Sequence, residues 1–160
     1  MPLTVGTDAY DTLTNVDAYH AGRGNTAWAA VVDDAAREVY IRKATDWVDR
    51  TFNFIGDLAT GTQRLKWPRQ YAEVEGFTIP TNMIPWQVAE ATAIVADLYR
   101  VGTFDMEGIV TNDSSAINKT KVDVIEVGYD TSKRLLGAVV PSHVYQLLRP
   151  LTNQNKLGRA

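Results

Sequence analysis

Apolar residues recur at helical spacing in separate stretches of this chain, with polar, glycine-punctuated segments between them. The clearest stretch runs through Val32, Ala36, Val39, Tyr40, Ala44, Trp47 and Val48. Such spacing brings apolar side chains to one side of a helix. Asp33 supplies an N-cap oxygen, and Asp34 puts negative charge at the positive end of the helix dipole. Glu38 with Arg42 and Asp46 with Arg50 stand four residues apart in the favourable order. The pattern predicts a helix running to about Phe52, with a break at Gly56. A second seam, Ile84, Val88, Ala91, Val95 and Leu98, predicts a helix that starts near Thr81 or Asn82, holds Pro85 in its first turn and ends at Gly102. Ala89, Ala93 and Ala96 add a face of small residues, which lets another helix approach closely.

Two shorter helices complete the set. One opens at Leu13, with Thr14 as cap and Asp17 as its acidic partner, and ends at Gly22 and Gly24. The other begins at Pro141-Ser142, carries Val144, Leu147, Leu148 and Leu151 along one side, and is closed by Pro150. Between helices, residues 60–76 read as extended or turning, because Pro68 drives Trp67 out of the helical region. Phe77-Thr78-Ile79 reads as a short strand stopped by Pro80. Residues 103–121 are rich in Asn, Asp, Ser and Thr and read as a long loop. Residues 122–129 read as a strand whose alternation slips at Val124-Ile125, which suggests a bulge or burial on both faces. The expected architecture is mainly α, a bundle of about four helices over residues 1–151, with a flexible polar tail at 152–160.

Composition narrows what this domain can do. The 160 residues, 45% hydrophobic and 22% charged, suffice for one globular core. The absence of cysteine excludes disulfides, thiolate catalysis and Cys-ligated metal. The first residues, Met1 to Asp8, lack the basic start and apolar run of a signal peptide, and no apolar stretch is long enough to span a bilayer. A formal net charge of −3 argues against tight nonspecific DNA binding and leaves room for a local basic patch.

No residue set names a reaction. His20 and His143 are far apart and outside any metal-ligand spacing, so each reads as a surface or hydrogen-bonded histidine. Ser114, Ser115, Ser132 and Ser142 lack a nucleophile-elbow context. Gly22-Arg23-Gly24-Asn25 follows a helix and lacks the Lys-Ser/Thr ending of a phosphate loop, so it reads as a helix end. Asp8, Asp11 and Asp17, or Asp105 and Glu107, lack the spacing of a calcium loop. The reading is therefore a binding or structural protein with no catalytic residue, cofactor or metal. Among Trp28, Trp47, Trp67 and Trp86, with Tyr19, Tyr71 and Tyr99, some could stack on bases. Trp47 lies on a helix stripe, and Trp28 and Trp67 read as packing anchors. The best basic–aromatic patch is Arg64 to Arg69. It makes Lys66, Trp67 and Arg69 nucleic-acid candidates; a buried tryptophan between snorkelling cations would explain the same residues.

The order of several segments resembles a phage family. They are Asn15-Val16-Asp17-Ala18-Tyr19, Ala21-Gly22-Arg23-Gly24-Asn25 with Ala27-Trp28, Arg42 to Asp49, Gln63 to Leu65 with Trp67-Pro68-Arg69, Ile79-Pro80 and Ile84-Pro85 with Val88 and Ala91, Lys119 to Tyr129, and Leu147 to Leu151. Members of that family are labelled DnaT-like single-stranded-DNA-binding proteins and look related to head–tail connector, or adaptor, proteins. The resemblance implies a helical bundle with a β-hairpin or extended loop and a C-terminal arm. It further implies a structural protein of the virion neck, assembled in the host cytoplasm. Such a subunit would form a homo-oligomeric, dodecameric ring docked on the portal, meeting a tail or neck protein and passing double-stranded DNA without sequence-specific binding or membrane contact. On that reading Ala89, Ala93 and Ala96 are subunit-interface candidates, and Asn153, Lys156, Leu157 and Arg159 are portal-binding candidates. The alternative is single-stranded-DNA binding through Lys66, Trp67 and Arg69.

Overall fold

The computed structural model describes residues 1–102 and 140–153, with the strand backbone at 104–105, 108–109, 119–122 and 125–128. Helix α1, Leu13–Gly22, opens at the residue its sequence suggests but is capped by Thr12 instead of Thr14. Thr12 has extended backbone and its hydroxyl accepts from the Asn15 amide at 3.2 Å, whereas Thr14 already lies inside the helix. Gly24, at φ +68°, turns the chain out of it. A one-turn helix, α2, Thr26–Ala29, follows under an Asn25 cap; four residues are too few to show a period.

Helix α3, Asp34–Thr51, has the expected cap, with Asp33 accepting from the Ala35 amide at 3.0 Å. Its buried side is Ile41, Ala44, Thr45, Trp47 and Val48. Val32 and Val39, assigned to the core stripe from sequence, are 90% and 44% exposed. The N-terminal segment explains the rotation. The Tyr10 amide donates to the buried Thr45 hydroxyl at 3.2 Å, so that side of α3 is covered and Val39 turns outward.

Helix α4, Trp86–Val101, begins after Pro85 and not near Thr81. Pro85 disfavours helical backbone at Ile84, and Pro80 to Met83 closes its own turn through the Met83 amide and Pro80 carbonyl at 3.0 Å. Gly102, at φ +76°, ends α4 as expected. The α3–α4 pair forms the centre of the bundle, with Val88, Ala91 and Val95 buried, and α1 lies against both helices. Helix α5, Ser142–Leu148, continues as a 3-10 turn over Arg149–Leu151 and packs on α4. Its Val144, Leu148 and Leu151 are fully buried. Trp47, Phe52, Phe54 and Trp67 form a chain of ring contacts with centroids 5.6–6.3 Å apart.

The strands are short antiparallel pairs. Strand β1, Asp57–Leu58, pairs with β2, Arg69–Gln70, and β3, Glu73–Val74, with β4, Phe77–Thr78. Glu75 and Gly76 join β3 to β4 with φ of +51° and +83°, the two positive values of a type I′ hairpin turn. Strand β5, Phe104–Asp105, pairs with β6, Gly108–Ile109, and β7, Lys119–Val122, with β8, Ile125–Gly128. The strand expected at 122–129 is therefore split. Val122 pairs with Ile125, so the slip in alternation marks a reversal of the chain, and residues 103–121 include strand segments. The tail expected from 152 onward starts bound: Thr152 bridges Phe54, and the Asn153 amide donates to the Asn53 carbonyl at 3.0 Å. Lys156, Leu157 and Arg159 lie outside the described residues. The fold is a small, mainly α domain with short strand pairs and a short C-terminal helical segment.

Candidate nucleic-acid interface

The structure separates the three nucleic-acid candidates. Trp67 is fully buried, edge-on to Phe54 at 5.6 Å, so no base can stack on it. It is a packing anchor, as are Trp28 and Trp47, each 1% exposed. Lys66 and Arg69 are half-buried beside it and hold the chain that leaves α3. Lys66 Nζ donates to the Phe52 carbonyl at 2.7 Å, and its backbone amide to Asp49 Oδ1 at 2.7 Å. Arg69 donates to the carbonyls of Ile55 (2.6 Å), Lys66 (3.1 Å) and Gly56. Desolvation holds the pKa of both side chains below its ordinary value. With Asn53, Phe54, Gly56, Leu58 and Asn153 they line an open cleft of about 480 Å³.

The accessible aromatic surface lies further along the chain. Tyr71, Phe77 and Trp86 are 77%, 79% and 62% exposed. Tyr71 follows β2 in left-handed backbone at φ +57°, which turns the chain between Gln70 and buried Ala72. Phe77 sits on the β3–β4 hairpin, which is tied back by the Ile79 amide donating to the Ala72 carbonyl at 2.8 Å. Trp86 opens α4. Phe77, Trp86, Met83, Ile79 and the rings of Pro80 and Pro85 line one shallow, mainly apolar groove. Trp86 and Met83 also border a second groove with Tyr10, Asn15 and Ala89. Acidic side chains stand near these grooves: Glu73 and Glu75 on the hairpin, and Asp11 in the second groove.

Sequence reasoning named Trp86 and Tyr71 only among all the aromatics and read Phe77 only as strand. One signal separates Trp86 from the other tryptophans. At 100° per residue it lies about 200° from both Ile84 and Val88, opposite the apolar seam. A large ring on the polar side of a helix has no core to enter.

The remaining candidates are structural. Ala93 and Ala96 are buried inside this chain, so the small-residue face brings its own helices together and is not open to a second copy; Ala89 is half-buried. Asn153 is exposed and borders the cleft beside Lys66. His20 is buried, 4% exposed and stacked on Trp28 at 4.6 Å. Its Nε2 meets the Ala93 carbonyl at 3.1 Å and its Nδ1 meets Asn25 Nδ2 at 3.2 Å. Desolvation keeps its pKa below the usual value. Those contacts fit a neutral ring that donates to Ala93 and accepts from Asn25. The Gly22 to Asn25 segment is thus a helix end that caps α2 and holds His20. Asp17 accepts from the Trp28 indole at 2.7 Å and pairs with Arg37 at 2.9 Å, and Asp8 pairs with Arg42 at 3.0 Å. Among the described residues no group of three or more acidic or histidine side chains gathers around a cation position, and no helix is long and apolar enough to cross a membrane.

Neither a curated protein nor a solved structure matches this chain. Residues 2–160 match the family described as "Putative DnaT-like ssDNA binding protein". That match corrects the expectation of a viral, bacteriophage structural protein, since the family is one of single-stranded-DNA-binding proteins. With nearly its whole length matched, the chain belongs to the DnaT-like single-stranded-DNA-binding family.

Proposed function

We propose that this protein binds single-stranded DNA without catalysis, and that the strand stacks its bases on the ledge of Tyr71, Phe77 and Trp86. The observation that carries the reading is the exposure of all three rings, 62–79%, within one short stretch of chain. Large rings left in water at this density mark a contact surface, and every base has a face that can stack on one. Family membership supports the same ligand. With net charge −3 and acidic groups beside the ledge, electrostatics contributes little, so affinity rests on stacking and salt dependence is shallow.

Fluorescence gives a direct test. Trp28, Trp47 and Trp67 are at most 1% exposed, so quenching by an oligothymidylate reports Trp86. Trp86→Phe keeps a stacking ring: oligonucleotide anisotropy should still rise while the quenching disappears. Trp86→Ala removes about 1–3 kcal/mol of stacking, which weakens binding roughly 5- to 150-fold. Circular dichroism and the melting curve should stay unchanged, since the ring is mostly solvated. Absence of binding at micromolar protein in low salt overturns the reading. So does binding that is undiminished in the Trp86→Ala and Phe77→Ala variants.

A further inference from the structure

The cleft between the α3–β1 turn and the C-terminal segment has a composition that the clamp alone does not require. Among the described residues its polar lining is two cations, Lys66 and Arg69, and two side-chain amides, Asn53 and Asn153, with no carboxylate. Lys66 Nζ carries three N–H donors and its side chain makes one hydrogen bond, to Phe52. Arg69 carries five and makes three, all to carbonyls. Neither cation forms a salt bridge with a described residue; Asp49 acts through space on both and accepts from the Lys66 backbone amide, and Asp57 acts on Arg69 through space. Both cations are partly desolvated with no carboxylate in contact among the described residues, and they line the open cleft with N–H donors to spare. Cations and amides with donors to spare, lining a cleft while the nearest carboxylates act only from a distance, are the chemistry that receives an oxyanion.

We propose that this cleft binds a phosphoryl group, with Lys66 as its principal charge, Arg69 beside it, and the amides of Asn53 and Asn153 as further donors. Two sources share this chemistry: a phosphodiester of a bound strand and free phosphate. The strand source rests on the proposed single-stranded-DNA binding; the site itself does not. The chain links the cleft to the aromatic ledge directly, since Arg69 is two residues before Tyr71.

The test is nuclear magnetic resonance of the whole chain, following the Lys66 Cε–Hε signals and the side-chain amides of Asn53 and Asn153. Inorganic phosphate is titrated against sodium chloride of equal ionic strength. Saturable shifts with phosphate alone support the site. Equal shifts in both titrations show screening only and overturn it. Lys66→Gln, which retains a donor for Phe52, should abolish saturation, and Lys66→Arg should restore it. An oligothymidylate is then added. If it moves the same signals, the strand is the source, and Lys66→Gln should reduce the slope of log K against log salt by about 0.7. If phosphate saturates the site and the strand leaves it unmoved, the site takes free phosphate. Trp86 quenching is read in the same samples. Quenching with neither phosphate nor strand at Lys66 defeats this inference and leaves the stacking reading standing.

Discussion

Gly56 is the position where one added methyl group should cost most for its size. It lies at φ +72° in the turn before β1, and a Cβ there would sit 2.4 Å from the Gln70 carbonyl oxygen, 2.8 Å from the Ala72 nitrogen and 3.0 Å from the Tyr71 carbonyl carbon. All three neighbours are backbone atoms, so no side-chain rotation relieves the clash. Left-handed backbone at a non-glycine residue costs roughly 1–2 kcal/mol. Forcing packed groups apart adds about 1–3 kcal/mol, for a total of roughly 2–5 kcal/mol in Gly56→Ala. For a chain of this length that is a fall in Tm of about 4–20 °C, at roughly 2–4 °C per kcal/mol. Gly76 is the internal control. It has φ +83°, and a Cβ there would meet nothing within 4 Å, so Gly76→Ala carries only the conformational cost of about 1–2 kcal/mol. Urea unfolding of both variants beside the parent protein isolates the steric part as their difference, about 1–3 kcal/mol. A difference below about 0.5 kcal/mol would refute the close approach of the 56 turn to β2, since that is the scatter of substitutions that disturb no packing.

The other predictions concern the first helix and the buried histidine. Thr12→Ala should destabilise the protein by about 1 kcal/mol and Thr14→Ala by only a few tenths, because only Thr12 caps α1. Equal losses in urea midpoints would return the cap to the sequence-based assignment. His20 is held neutral in the fold, so its folded pKa lies below the unfolded value of 6.5. The sign follows. Below pH 6.5 the unfolded chain binds the extra proton first, so the stabilisation present above 6.5 is lost as pH falls through the folded pKa. Protonation also sets a second N–H against the Asn25 amide, whose oxygen already caps Trp28 at 3.2 Å. The ring packs among Tyr19, Trp28 and α4, with Asp97 and Asp17 favouring the charged form and Arg100 opposing it. Unfolding free energies of the parent and His20→Gln proteins between pH 7.5 and 5 should converge as pH falls; parallel profiles would exclude His20 as a cause of acid sensitivity.

Local chemistry was legible in the sequence, and the division between inside and outside was less so. Asp33, Gly102 and Pro80 act on neighbouring residues through the backbone, and each does in the fold what its type predicts. The Val88–Ala91–Val95 seam was readable because a sixteen-residue helix shows its period several times. The α3 stripe was misaligned because its cover comes from Tyr10, more than thirty residues earlier, which no window on α3 contains. The basic–aromatic patch stays open in the sequence for a related reason. Lys66, Trp67 and Arg69 form the same string whether the ring is buried or bare, and only the path of residues 52–56, whose carbonyls take the two cations, shows Trp67 to be the packing anchor. Exposure of Phe77 was hidden because a two-residue strand offers no alternation to read.

The clasp between Asn53–Ile55 and Leu151–Asn153 has a consequence during synthesis. The Ile55 amide reaches the Leu151 carbonyl at 2.9 Å, and Phe52 shares a cleft with Val140 and Tyr145, so the last helix covers aromatic groups made much earlier. At roughly 5–20 residues per second, on the order of 5–20 s separate the appearance of Phe54 from that of Leu151. Through that interval the nascent chain carries Phe52 and Phe54 without the lid they acquire in the finished fold. The bundle is thus closed by a piece made after its other described helices, and a ribosome that stalls before Val144 leaves a product with an apolar face open to whichever chaperone or neighbouring chain arrives first.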